Sequence, residues 1–126
     1  MGEPDPKAKL EGSILISMMK RLVGDSEDLS DTSYAEDIMQ GINTHIVALT
    51  QKGVGPKEGF MISDETPTWE EFLGDDIRLN CAKEYIYLKC KLGFDPPPAA
   101  AIESFEKSAL EHLTRAGYVV EFPMLS

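Results

Sequence analysis

The sequence predicts an all-α protein, a small helical bundle of about four main helices with a long loop between helices two and three and a candidate minor β element. Three observations carry this. Apolar residues recur at three- and four-residue spacing in separate segments. Two Ser/Thr-x-x-Glu capping boxes, Ser33 to Glu36 and Thr68 to Glu71, mark helix starts. Most glycines and prolines fall between the periodic segments, where they act as boundaries. A chain of 126 residues that is 42% hydrophobic suits one domain with a small core.

Residues 1–9 are polar, carry two prolines and are expected to be a flexible lead-in. The helical domain is placed at 10–117 and an extended tail at 118–126. Asp5-Pro6 supplies a capping side chain followed by proline at a first helical position. Leu10, Ile14, Leu15, Met18 and Leu22 then recur on one face until Gly24. Residues 25–31 are acidic and read as a loop. The Ser33 box opens the second helix; Ala35, Ile38, Ile42, Ile46 and Leu49 form its stripe and Gly53 closes it. A long loop runs from Gly53 to Pro67, with Phe60-Met61-Ile62 as a candidate short strand. Loops of this length in small domains are usually functional or ordered by a partner.

The Thr68 box opens a short helix bearing Trp69, Phe72 and Leu73, which Gly74 stops. Asp75 or Asp76 caps a central helix with two stripes. One is Ile77, Cys81, Tyr85, Leu88 and Leu92; the other is Leu79, Ala82, Ile86 and Cys90. A helix apolar around so much of its circumference needs cover from its own domain, from neighbouring subunits, or from both. Phe94-Asp95-Pro96-Pro97-Pro98 forces a turn, because a residue before proline avoids helical backbone. The last helix is expected from about Pro98 to Ala116, along Ile102, Phe105, Ala109, Leu113 and Ala116. Gly117 is expected to end it, leaving Tyr118-Val119-Val120-Glu121-Phe122 extended.

Net charge is −10, with 22 acidic against 12 basic residues, which argues against a DNA clamp. Lys83, Lys89 and Lys91 are interleaved with Glu84 and read as a solvated face. No apolar run approaches a membrane span and no signal peptide opens the chain, so a soluble protein assembled inside the cell is expected. Cys81 and Cys90 are separated by about 900° of helical rotation, hence lie on opposite faces and cannot pair within one helix. They read as reduced core residues.

The chemistry-bearing residues form no catalytic set. His45 and His112 stand alone, and no HExxH or CxxC motif accompanies them, so neither zinc nor another cofactor is expected. Glu70, Glu71, Asp75 and Asp76 are the densest acidic group, and a divalent cation could sit there. Their place at helix N-termini, where carboxylates offset the macrodipole, is the simpler account. Gly53-Val54-Gly55-Pro56, between Lys52 and Lys57, lacks the Gly-Lys-Ser/Thr ending of a phosphate loop. The expectation is a protein that is not an enzyme. Trp69, Phe72, Phe60 and Tyr34 serve equally well as an interface cluster or as the edge of the core. The segment Tyr118 to Phe122 could add a strand to a partner or pair with Phe60-Met61-Ile62.

A family resemblance covers about two thirds of the chain, from Tyr34 to Arg115. It is carried by Asn43, the run Leu49 to Pro56, Gly59-Phe60, Ile62, Asp64, Trp69, Phe72-Leu73-Gly74-Asp75, Lys83, and above all Tyr85 to Lys89 with Phe94-Asp95-Pro96-Pro97. These resemble the head–tail connector (adaptor, or head-completion) proteins of long-tailed double-stranded DNA phages and prophages of Gram-positive bacteria. The chain departs from that pattern at Cys90, Gly93 and residues 117–126.

The resemblance implies a structural protein of the virion neck, at the head–tail interface, assembled in the host cytoplasm. It implies a homo-oligomeric ring, a dodecamer, beneath the portal protein, extending the DNA channel and docking the next connector, stopper or tail protein. DNA would pass without specific binding, as suits a negative wall, and no membrane is involved. Partner contacts are then expected at Gly55, Pro56, Phe60, Ile62, Asp64, Trp69, Phe72, Tyr118, Val119, Val120 and Phe122. Contacts between ring subunits are expected at Ile77, Cys81, Tyr85, Ile86, Leu88 and Leu92. Two other readings remain open on the residues: a non-enzymatic regulatory or adaptor module binding another protein through its helical face, and a metal enzyme on the acidic group.

Overall fold

The computed structural model describes residues 12–23 and 32–121, and the described residues form an all-α bundle. The helices are α1 (Ile14–Val23), α2 (Thr32–Gln51), α3 (Trp69–Leu73), α4 (Asn80–Phe94) and α5 (Ala99–Glu121), with a 3₁₀ turn at Ile77–Leu79 before α4. The expected lead-in at 1–9, the Asp5-Pro6 start and Phe122 lie outside the described residues.

Local chemistry explains most boundaries. The α1 segment begins after Ser13, whose buried hydroxyl accepts from the Ile16 amide at 3.2 Å and donates to the Glu65 carbonyl at 2.7 Å. Helix α2 ends in a Schellman motif: the Val54 amide reaches the Leu49 carbonyl at 3.0 Å and the Gly53 amide the Thr50 carbonyl at 2.9 Å. Gly53 supplies the positive φ of 88° that this motif requires. The Thr68–Glu71 capping box is fully formed around α3. Asp76 caps the 3₁₀ turn by accepting from the Arg78 amide at 2.9 Å, so it stands one short turn ahead of α4.

The central element is α4. It makes its largest contact with α5 and the next with α2, while α1 covers a third side. Cys81, Ala82, Tyr85, Ile86 and Cys90 of α4 are buried, against Ile14, Met18 and Leu22 of α1, the Ile38, Ile42, Ile46 and Leu49 stripe of α2, and Ala109 and Ala116 of α5. Small alanines on α5 let its backbone approach α4 closely.

Two expectations about extended structure are corrected. Phe60-Met61-Ile62 is not a strand. Ile62 is held by the Asn43 side chain, whose Oδ1 accepts from the Ile62 amide and whose Nδ2 donates to the Ile62 carbonyl, both at 2.8 Å. A side-chain amide thus stands in for the neighbouring strand. Among the described residues the one β feature is an isolated antiparallel bridge between Ser13 and Thr68.

The segment from Tyr118 to Glu121 is not an extended tail either: α5 runs through Gly117 to Glu121. A Cβ at Gly117 would lie 3.6 Å from the Lys52 stem, and one at Gly53 would lie 3.4 Å from a Val120 methyl. Val119 and Val120 are partly buried against the core. Burial of these valines on the end of α2 outweighs the roughly 1 kcal/mol that an interior glycine costs a helix.

Candidate docking surface

The residues singled out for partner contact divide into two groups with opposite placement. The first is turned inward. Trp69, Phe72 and Ile62 are core residues. Phe60 stacks on Phe72 at 5.0 Å between ring centroids, and the Trp69 indole donates to the Ser17 hydroxyl at 2.8 Å. Gly55, at φ 92°, leaves so little room that a Cβ there would meet the Phe72 ring at 2.5 Å. Gly55 and Pro56 are half-buried, and Asp64 is exposed, its carboxylate accepting from the Thr66 amide and hydroxyl. The long loop is therefore ordered by its own chain, clamped by Asn43, Ser13 and the Phe60–Phe72 stack.

The same holds for the proposed contacts between ring subunits. Cys81, Tyr85 and Ile86 are buried in the core of their own chain. Leu88 and Leu92 are half-buried. Only Ile77 stands well out, 80% exposed on the 3₁₀ turn. The apolar stripes of α4 are accounted for by α1, α2 and α5, so they do not by themselves call for a neighbouring copy.

The second group lies on α5, where Val119 and Val120 are half-buried against the core and Tyr118 faces outward. Tyr118 is 53% exposed, and Leu110, two turns earlier on the same face, is 62% exposed. With Glu111, Thr114 and Arg115 they line a shallow depression of about 430 Å³. Large apolar side chains at positions i and i+8 of an exposed helix face are what a helical docking strip looks like. Leu110 was not visible as a candidate because the strip emerges only when α5 is continued past Gly117. Val47 and Met61 are further exposed apolar residues.

Burial shifts three titratable groups toward their neutral forms. Burial pushes the Cys90 thiol up to about 12 and raises Cys81 as well, which keeps both protonated. His45 packs edge-on against Tyr85 at 5.9 Å, and burial, aided by the nearby Lys89 charge, lowers its pKa to about 4. Glu70, Glu71, Asp75 and Asp76 do line a common cleft. Two of these carboxylates are already engaged: Glu71 in the Thr68 cap, and Asp76 with the Arg78 guanidinium, which holds the Asp76 carboxyl below the usual range. No group of three or more His, Cys, Asp or Glu among the described residues is placed to hold a metal ion.

A sequence model for a family described as phage connector protein matches residues 15–120, a span that covers the five helices of the described residues to within one residue at either end, and the long loop. The chain belongs to the phage connector protein family. As a connector it is a structural component of the virion neck, between head and tail. No curated protein and no solved structure matches the chain. Among the connector's described residues no helix is long and apolar enough to cross a membrane.

Proposed function

We propose that this connector is a subunit of a ring beneath the portal vertex, which extends the DNA channel and docks the next connector or tail component. It acts by binding and not by catalysis. The observation that carries the reading is the apolar strip of Leu110 and Tyr118 on the outer face of α5, away from the buried core that the described helices share. Leu110 is 62% exposed and Tyr118 53%, an apolar surface of the kind a partner covers. A packed helical bundle also suits a ring, because a ring is built by repeating one heterologous contact between copies. The net charge of −10 suits a channel that lets DNA slide instead of gripping it.

Deletion of the gene from the phage that encodes it tests the proposal. Filled heads that fail to join tails, with joining restored by the wild-type chain supplied in trans, are the expected result. Fully joined, infectious particles that lack the polypeptide by mass spectrometry would contradict it.

A further inference from the structure

The chain has three arginines, Arg21, Arg78 and Arg115, and all three line one cleft of about 540 Å³. They arrive from α1, the 3₁₀ turn and α5, and α4 adds Lys83. In a chain of net charge −10 this is a concentrated basic site. Two of the guanidinium groups are held in place. Arg21 makes a two-pronged pair with Glu84 at 2.9 and 3.2 Å and lies 3.6 Å above the centre of the Tyr87 ring. Arg78 is fixed by Asp76. Arg115 is exposed and makes no ion pair among the described residues. The cleft keeps an excess of positive charge after its internal pairs are counted, and a planar fork is the donor best matched to an oxyanion.

We propose that this cleft binds carboxylates of a second copy of the connector and so forms the charged half of the contact between ring subunits. The inference rests on the ring reading above and adds the surface and the partner chemistry to it. Two observations favour a protein carboxylate over a nucleic-acid phosphate. Arg115 also lines the strip of Leu110 and Tyr118, so the basic cleft and the apolar strip are continuous. Arginine and tyrosine beside an apolar side chain are the composition of a protein interface, whereas a phosphate backbone gains little from an exposed leucine. The rest of the chain carries a net negative charge, so a second copy brings the complementary charge. A basic patch repels its own image, so a symmetric two-fold contact through it is disfavoured. The cleft must meet a different, acidic face of the next copy, and a head-to-tail contact of that kind is the one that closes rings.

Sedimentation velocity of the full chain at low and at high salt tests this. At low salt the mean mass should rise with concentration above the 13.9 kDa of one chain, and high salt should reverse the rise. Arg115→Glu should weaken self-association by about tenfold or more, and Arg115→Lys by less. Lys83→Glu provides a second, independent reversal, and circular dichroism confirms that each variant is folded. A single-chain mass at every concentration and salt, or association that neither reversal weakens, would overturn the inference. A short DNA duplex bound at low salt, and lost in Arg115→Glu without any self-association, would assign the cleft to phosphate and equally overturn it. A chain that stays single in solution yet is found in the neck of particles would remove this inference alone. Absence from particles would remove the ring reading.

Discussion

Asn43 is the residue on which the long loop depends. Its amide satisfies both the amide and the carbonyl of Ile62, a buried residue 19 positions away. Asn43→Ala should leave both backbone groups unpaired and cost about 2–3 kcal/mol, read as a lower midpoint in urea denaturation. Gly55 is constrained from the other side of the same loop. Its positive φ and the Phe72 ring at 2.5 Å from any added Cβ make Gly55→Ala destabilising by about 2–4 kcal/mol.

His45 gives the fold a pH dependence of known sign. Its pKa is about 4 in the folded chain against an ordinary 6.5, so folding favours the neutral ring. The stabilisation from keeping it neutral is full above pH 6.5 and is lost as pH falls from there through about 4. The ring is only half-buried, so screening reduces the effect to on the order of 1–2 kcal/mol. The melting temperature of the wild type should fall more steeply than that of His45→Gln across this window. Parallel curves would show that His45 is not the group responsible.

The helices divide according to whether their limits are set by local chemistry or by packing. The Thr68–Glu71 box, the Gly53 terminus of α2 and the proline turn after Phe94 are all written in neighbouring residues, and each lies where the sequence predicts. The apolar stripes of α1 and α2 were equally legible, since their spacing maps directly onto the core. Gly117 was misleading because glycine ends a helix only if its backbone turns left-handed. Here Val119 and Val120 gain more by staying helical against the core. Gly117→Ala decides between the two. In mid-helix, with its new Cβ in ordinary contact with the Lys52 stem at 3.6 Å, it should stabilise by about 0.5–1 kcal/mol. At a left-handed cap it would destabilise. Phe60 to Ile62 misled for a different reason. A β-like pattern shows that a segment needs a hydrogen-bonding partner and does not show that the partner is a strand.

At the scale of the whole molecule, an apolar central helix invited an argument for oligomers, and the structure answers it within one chain. Hydrophobicity counted along a sequence cannot tell cover by the same chain from cover by another, since both are burial. The candidate contacts in α4 were legible as buried positions and not as a surface. The outward strip on α5 was illegible because Gly117 reads as the end of that helix, and the arginine cleft because its residues come from separate elements that only the fold brings together. The family match supplies the virion context, and the fold supplies the two surfaces through which a connector can act in it.

A cryo-EM reconstruction of the neck in intact particles is the most direct measurement. The account predicts a closed ring of this chain directly below the portal, with the outer face of α5 and Arg115 at a boundary between neighbouring copies or against the adjoining neck protein. A neck in which the chain is absent, or present with Leu110, Arg115 and Tyr118 all facing solvent, would contradict it.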